Sequence, residues 1–188
     1  MHVQPRRWTR RATRAAASSS TARGSSTRRR RRDPGLVYDA REDDYVRMLC
    51  AEGYNSTQLR AVTGSDATAC PASGESGAAA DLNYPTMVHH AAPGKNFTVR
   101  FPRTATNVGA PGRSVYTARI VGGSGPYIRV AVAPRRLAFS RLQQKLSFTV
   151  KVSGALPDGN EFVSAAVVWS DGVRQVRSPI IVHTVDVQ

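Results

Sequence analysis

The side chains with the clearest capacity for catalysis are the adjacent His89 and His90, which follow Asp81. A nucleophilic triad needs a serine, a histidine base and a carboxylate in one constellation, and no serine stands in a nucleophile motif beside this pair. The chain contains no G-x-S-x-G, no H-E-x-x-H and no glycine-rich loop leading from a strand into a helix. We therefore expect no catalytic residue, no metal ligand and no cofactor, and we interpret the two histidines as part of an exposed loop.

The chain has two cysteines, Cys50 and Cys70. Zinc sites usually present a close cysteine pair or a Cys/His cluster, and neither residue has another Cys or a His within three positions. The residues alone leave two alternatives open, which are a pair of buried thiols and a single disulfide.

Two tripeptides have the acceptor pattern for N-linked glycosylation, Asn55-Ser56-Thr57 and Asn96-Phe97-Thr98. Turn residues lie next to each of them, which suits a surface position, but the pattern matters only in a chain that enters the secretory pathway. The N-terminal string "ATRAAASSSTA" does not supply the apolar core of a signal peptide. No run approaches the roughly 20 apolar residues that a membrane helix requires.

The net charge of +14 is distributed unevenly along the chain. Residues 1–32 contain 11 Arg and no acidic residue and so carry +11, whereas residues 33–188 contain 16 Arg and Lys against 13 Asp and Glu, a net +3. Ordering a backbone costs about 1–2 kcal/mol per residue, and residues 1–32 have too few apolar groups to offset that cost, so we predict disorder. Arg28–Arg32 would suit a nuclear signal or a non-specific nucleic-acid-binding arm, and the whole segment would also suit a transit peptide.

A helical pattern begins directly after the arginine-rich segment. We predict a helix over residues 39–53, with Asp39 as its N-cap and Glu42 completing a capping box. A shorter helix capped by Ser56 follows, and then a polar loop that reaches residue 80.

From about Asp81 onward the apolar residues recur with a period of two, as in "KLSFTVKV" at 145–152, which is typical of half-buried strands. No helical pattern separates these strands, so we predict an immunoglobulin-like antiparallel β-sandwich with Trp169 in its core or at its rim. Pro179 predicts an edge position or a bulge for the last strand. The predicted strands are 97–101, 115–121, 127–132, 137–139, 145–152, 162–169 and 173–183.

Several longer strings occur in an order that resembles one protein family. They are "DPGLVYDAREDDYVRMLCAEGYN" from residue 33, "ADLNYPTM" (80–87), "FPRTATNVG" (101–109), "VAPRRLAFS" (132–140) and "VVWSDGVRQVRSPIIVH" (167–183). These strings resemble the region that follows the catalytic domain in plant subtilisin-like serine proteases, the subtilase or cucumisin-like family. The resemblance covers residues 33–188, and it departs from the family's usual residues at Thr86 and Ala105.

The resemblance implies a mainly β protein in three parts. These are the disordered tail 1–32, a linker and helical segment at 33–80, and a fibronectin type III-like sandwich at 81–188. The catalytic motifs of the family would lie upstream of "DPGLVYD", and none occurs in residues 1–32, so we expect the chain to be inactive alone. The implied partner is a subtilisin-like catalytic domain, joined in cis in full-length members, which the sandwich packs on and supports.

Because members of the family are secreted, the resemblance also implies a Cys50–Cys70 disulfide, glycans at Asn55 and Asn96, and an extracellular location. The structural residues it emphasises are this cysteine pair, the linker Asp33–Asp39, and the core faces of strands 145–152 and 162–169. For residues 1–32 our hypothesis is a frameshift, a mispredicted start or a truncated gene, because a GC-rich coding region translated in a shifted frame gives such an Arg, Ala, Ser and Thr composition. Two alternatives remain: a basic nuclear or nucleic-acid-binding protein acting through Arg28–Arg32, and an independent interaction module.

Overall fold

The computed structural model describes residues 34–71, 79–109, 112–123, 125–141, 143–159 and 161–185. The tail 1–32, including Arg28–Arg32, and the first linker residue, Asp33, lie outside these residues. Within them the chain forms nine strands, two α-helices and a 3₁₀ turn at Ala79–Asp81. The helices are α1 (Glu42–Ala51) and α2 (Ser56–Thr63). The strands are β1 (Leu36–Tyr38), β2 (Met87–His90), β3 (Phe97–Asn107), β4 (Ser114–Gly122), β5 (Ile128–Ala133), β6 (Arg136–Phe139), β7 (Lys145–Gly154), β8 (Phe162–Ser170) and β9 (Gln175–His183).

The strands form two sheets that enclose one core. The four-stranded sheet has the order β1-β3-β7-β5, and the five-stranded sheet has the order β2-β9-β8-β4-β6. Neighbouring strands are antiparallel except β2 and β9, which are parallel. The prediction of a mainly β, sandwich-like fold is confirmed.

Strict alternation of side chains builds the core. In β7 the residues Phe148, Val150 and Val152 point inward and are at most 3% exposed, while their neighbours in the strand point outward. Trp169 of β8 is fully buried, and its ring centroid lies 4.9 Å from that of Phe148 in an edge-to-face arrangement. Such pairs are favoured by the aromatic quadrupole and join the two sheets at this point.

Two short strands were not predicted. Leu36–Tyr38 pairs with β3 rather than serving only as a linker, and Met87–His90 pairs in parallel with the end of β9. The prediction that His89 and His90 lie in an exposed loop is therefore wrong. Both strands owe their conformation to partners distant in the sequence, because three or four residues alone carry almost no periodic signal.

From Pro179 we predicted that the last strand lies at an edge of its sheet or carries a bulge. This prediction is wrong, because β9 lies between β2 and β8. The missing N–H of proline is nonetheless accommodated, because the register of β2 begins only at Met87 opposite Ile180. At Pro179 itself β9 has a ladder partner on one side, Ala166 of β8.

Neither of the two residues predicted as N-caps is the cap in the structure. The first helix starts at Glu42, and the Asp44 carboxylate accepts the backbone N–H of Arg41 at 2.9 Å, so Asp39 is not its cap. The second helix is capped by Asn55 rather than Ser56, because the Asn55 Oδ1 atom accepts the backbone N–H of Gln58 at 3.0 Å. Asparagine and serine are similarly good caps, so sequence alone does not separate two neighbours of this kind.

Candidate functional site

The end of the sandwich next to α1 holds a set of polar contacts between segments that are distant in the sequence. Here the strand β1, the segment 79–84 and the middle of β3 meet. We call this place the junction and define it by Asp39, Asn83, Arg103 and Lys145.

Arg103 is the centre of the junction. It points inward from β3 on the same side as Phe101 and Ala105, and it is only 4% exposed. Its Nε donates to the carbonyl oxygen of Tyr84 at 2.8 Å, and its Nη1 donates to those of Ala80 and Pro102, each at 2.7 Å. The guanidinium therefore fixes the turn at 79–84 onto the sheet.

Burial lowers the pKa of Arg103 to about 10, because a charged group loses its hydration there. Tyr38, in its ionised form, and the carboxylate of Asp81 act in the opposite direction and favour the cation. With a pKa near 10 the side chain stays charged at neutral pH. A buried charge of this kind is tolerated only when its donors are satisfied, and the three carbonyl oxygens supply those partners.

Asn83 joins the linker to the same strand. Its Nδ2 donates to the carbonyl oxygens of Asp39 at 3.0 Å and Thr104 at 2.9 Å. Its Oδ1 accepts the backbone N–H of Thr104 at 2.8 Å. The amide thus satisfies both main-chain groups of Thr104 in the way that an additional strand would.

Asp39 uses its carboxylate within the sandwich instead of capping α1. It accepts the Thr106 hydroxyl at 2.6 Å and lies 2.7 Å from the Lys145 ammonium. The hydrogen bonds from Lys145 and then Thr106 lower the pKa of Asp39 below its usual value. Since both members of the ion pair are largely exposed, the contact fixes geometry more than it adds stability.

The linker also reaches across the core. The hydroxyl of Tyr38 lies 2.7 Å from the Ser178 hydroxyl of β9, in the opposite sheet. Burial raises the pKa of Tyr38, although Ser178, Arg103 and Trp169 each act to lower it. Gly35 adopts φ +84°, and a Cβ there would lie 2.6 Å from the hydroxyl oxygen of Tyr116, so glycine is required at this position.

A cleft of about 540 Å³ separates the start of α1 from the junction. Both acidic and basic side chains line this cleft. Asp43, Asp44 and Arg47 lie on the helix side, and the charged residues of the junction lie on the other. Asp44 and Asp39 use their carboxylates in the contacts described above. The chemistry assembled here is that of a structural polar network.

The two cysteines are brought together. Cys50 at the end of α1 and Cys70 in the loop after α2 form a disulfide with a Cα–Cα distance of 5.7 Å. The closed loop spans 20 residues, for which a chain-entropy estimate gives about 3 kcal/mol of stabilisation. Neither helix has more than one fully buried side chain, so this covalent link compensates for sparse packing.

The two candidate glycosylation sites are both exposed. Asn55 lies at the start of α2, where its Oδ1 is the cap, and Asn96 directly precedes β3. The cap uses the oxygen of the Asn55 side chain, so its nitrogen is not required for that contact. Glycosylation at these two positions stays a prediction.

The histidines and Asp81 do not form a catalytic constellation. The ring of His89 lies 5.0 Å from that of Phe97, and His90 stands opposite His183, with 5.3 Å between ring centroids. Asp81 acts on the charge of Arg103 instead. Among the described residues, no group of three or more His, Cys, Asp or Glu side chains is arranged to hold a metal ion. The described helices include none that is long and apolar enough to cross a bilayer.

Sequence reasoning missed Arg103 and Asn83 as organising residues. A signal for Arg103 was present, because alternation from Phe101 places residue 103 on the inner face of β3. The role of Asn83 depends on its contacts with Asp39 and Thr104, which are distant in the sequence, and no local pattern contains that information.

The fold belongs to the immunoglobulin-like class of β-sandwiches. Aromatic residues join its two sheets, and the short strand β1 lies at one edge. Residues 81–182 match the sequence profile of the fibronectin type-III domain. The chain belongs to this domain family.

The chain is also similar to plant subtilisin-like proteases. It is 45% identical over 154 residues to subtilisin-like protease SBT4.3 of Arabidopsis thaliana, which covers 81% of the chain and 20% of that protein. The identity is 43% over 150 residues for SBT4.6 and 41% over 155 residues for SBT4.13 of the same plant. The chain thus spans about a fifth of the length of these curated relatives, and the matched part is a C-terminal region. The resemblance stated from the sequence is confirmed.

Among solved structures, the VesB protease of Vibrio cholerae is 17% identical, with a TM-score of 0.37 over 53% of this chain and 30% of that one. A similarity of this size carries no argument about function.

The first testable prediction concerns Arg103. In Arg103→Met, three carbonyl oxygens lose their donor and the turn at 79–84 loses its anchor, so we expect the free energy of unfolding to fall by about 3 kcal/mol or more. Arg100→Met, at an exposed position of the same strand, should change it by less than about 0.5 kcal/mol. Urea unfolding of both variants measures this, and equal losses would contradict the central role of Arg103.

The second prediction concerns pH. Burial lowers the pKa of His89, and the neighbouring His90 and His183 lower it further, so the folded state favours the neutral ring. The unfolded chain binds the proton at about pH 6.5, and stability should therefore decline as the pH falls from 7 through the folded pKa. His89→Gln should show a smaller decline between pH 7 and pH 5 in urea unfolding. An unchanged decline would contradict the assignment to His89.

Proposed function

We propose that this chain is the non-catalytic C-terminal region of a subtilisin-like serine endopeptidase, which packs on the protease domain and supports it. The observation that carries the proposal is the 45% identity to SBT4.3, which extends over 81% of the chain. The matched length of 154 residues exceeds the 102 residues of the fibronectin type-III match, so the similarity is not limited to the sandwich.

The junction supports the same proposal by physical argument. A domain attached upstream of Gly35 would connect through β1, whose residues are paired with β3 and whose next residue, Asp39, is held by Asn83, Thr106 and Lys145. A connection fixed at so many points transmits orientation, whereas a flexible linker does not. Such a connection suits a domain that stabilises its neighbour through a defined contact.

We infer an extracellular location for the protein that contains this region. The disulfide supports this inference because structural disulfides persist in oxidising compartments. The exposed acceptor sites at Asn55 and Asn96 agree with it. The nucleic-acid alternative depends on Arg28–Arg32, which lie outside the described residues, and no observation favours it.

The third prediction tests the supporting role in a chimera. The 154 matched residues of SBT4.3 are replaced by the corresponding residues of this chain, and a shortened form of the relative ends before the replaced region. We expect the chimera to be secreted and proteolytically active, and the shortened relative to be less active, with an unfolding midpoint at least about 5 °C lower. A shortened relative as active and as heat-stable as the chimera would overturn the proposal. A secreted but inactive chimera would overturn it as well.

The fourth prediction tests the secretory inference by mass. The chimera is expressed in a plant secretory host and its mass is compared before and after treatment with an N-glycosidase. Thr57→Ala and Thr98→Ala each remove one acceptor pattern, and Thr57→Ala does so while leaving the Asn55 cap of α2 in place. We expect each variant to lose the mass of one glycan. Masses identical to that of the unsubstituted chimera would contradict glycosylation at these sites.

A further inference from the structure

The charge of the chain is divided between its helical segment and its sandwich. Residues 33–81 contain 3 Arg and Lys against 9 Asp and Glu, a net −6, whereas residues 82–188 contain 13 against 4, a net +9. The small net charge of residues 33–188 therefore conceals a strongly basic sandwich. A surplus of this size attracts anions, and the register of the strands shows which of the cations lie together.

Three of these cations lie close together on the outer face of the four-stranded sheet. Residues paired across a ladder point to the same side, so Arg100 of β3 lies opposite Lys151 of β7, with their Cβ atoms about 5 Å apart. Arg129 of β5 lies in the next row, opposite Ser153 of β7. All three cations are exposed. We call Arg100, Arg129 and Lys151 the basic face.

The basic face has no counterion of its own. Like charges directly opposite each other in a ladder destabilise the strand pair. Lys145, on the same side of the sheet, is balanced by the Asp39 carboxylate at 2.7 Å. Among the residues that the structure describes, no carboxylate lies within 4 Å of a cation of the basic face. The domain thus balances one cation of this sheet and leaves the other three to an anion from outside.

Hydroxyl groups and one aromatic ring lie beside these cations. Thr98 and Ser153 are in the same row as Arg129, and Thr149 is in the row after Lys151. Tyr127, which is 42% exposed, directly precedes β5, and its carbonyl oxygen accepts the backbone N–H of Ala155 at 3.0 Å. The ring therefore lies at the end of the sheet next to Arg129.

This combination of groups fits a polysaccharide whose sugars carry anionic groups. The planar guanidinium of arginine binds a carboxylate or a sulfate through two parallel hydrogen bonds. Serine and threonine hydroxyls both donate and accept, as sugar hydroxyls do, and a tyrosine ring offers an apolar face with a polar tip. Each exposed ion pair is weak alone, but a polymer that repeats its charge engages several cations at once.

Other macromolecules fit the basic face less well. A protein partner usually covers an apolar centre, and the outward positions of β3 and β7 are polar except for Pro102. Single-stranded nucleic acids stack successive bases on several aromatic side chains, and here Tyr127 is the one aromatic residue beside the cations among the described residues. The hydroxyl-rich surface therefore favours a sugar polymer.

We propose that the basic face is a binding surface for an anionic polysaccharide. Arg100, Arg129 and Lys151 hold the carboxylate or sulfate groups of the polymer, and Tyr127 packs against a sugar ring. This activity is separate from the support of a protease domain, and it does not depend on the function proposed above.

The fifth prediction is tested by residue-resolved NMR on the oxidised 188-residue chain. Production in a bacterial host leaves Asn96, which adjoins β3, without a glycan. Oligogalacturonate of about ten sugars should shift the amide signals of residues 98–100, 127–131 and 149–153 in a saturable way, whereas monomeric galacturonate should not. The affinity should fall at least about fivefold when the salt concentration rises from about 50 mM to about 200 mM.

A dextran sulfate of similar length distinguishes the two anionic groups. Saturable shifts of these amides with either polymer support the inference and identify the group that is bound. If neither polymer shifts them, or if the shifts are limited to residues 1–32, the inference is overturned. Tighter binding of single-stranded DNA than of both polysaccharides at the same amides would assign the face to nucleic acid and overturn it as well.

Matched double variants separate this face from net charge. Arg100→Ser with Lys151→Ser and Arg119→Ser with Arg177→Ser each remove two positive charges, the second pair from the outer face of the five-stranded sheet. We expect the first pair to weaken binding of the oligomer at least about fivefold and the second less than about twofold. Equal weakening would show that binding follows net charge alone and would overturn the inference.

Thermal unfolding excludes a structural explanation. The variant with Arg100→Ser and Lys151→Ser should unfold at the midpoint of the unsubstituted chain or above it, because the substitutions remove a repulsion between opposite residues. A midpoint lowered by more than about 4 °C would assign these residues a structural role and contradict the inference.

Discussion

The architecture at the linker end depends on one buried guanidinium. Removing the Arg103 charge from water carries a desolvation cost of several kcal/mol, which direct hydrogen bonds must offset. The carbonyl oxygens that offset it belong to Ala80, Tyr84 and Pro102, so satisfying the charge also folds the turn at 79–84 against β3. That turn positions Asn83, and Asn83 holds the carbonyl oxygen of Asp39. The linker is thus held in place because the buried charge of Arg103 must be satisfied by hydrogen bonds.

This dependence makes the linker part of the sandwich. Leu36 is 3% exposed, Tyr38 reaches Ser178 in the opposite sheet, and Gly35 fits against Tyr116 because it has no side chain. The helices α1 and α2 are attached differently, since only Leu59 among their residues is fully buried and the Cys50–Cys70 disulfide closes their loop. The helical segment is therefore stabilised mainly by a disulfide, whereas the linker is stabilised by packing.

The sequence predicted what depends on local periodicity and missed what depends on distant partners. Alternation in 145–152 predicts the inward face of β7, and the fold class follows from many such runs. By contrast, β1 and β2 are too short to show a period. Asp39 is a good cap by composition, yet its carboxylate lies beside Thr106 and Lys145, which are far away in the sequence. Tertiary contacts of this kind override local propensity.

The same alternation that builds the core also distinguishes the outer faces. In β8 the inward positions must be apolar for packing, and the outward Ala166 and Val168 are themselves 0% and 5% exposed, so the domain already buries them. Polar residues at the corresponding positions of β7 show that an outer face of this domain can be polar. The two outer faces therefore differ in burial as well as in polarity, because the outward Lys145, Ser147 and Lys151 of β7 are exposed.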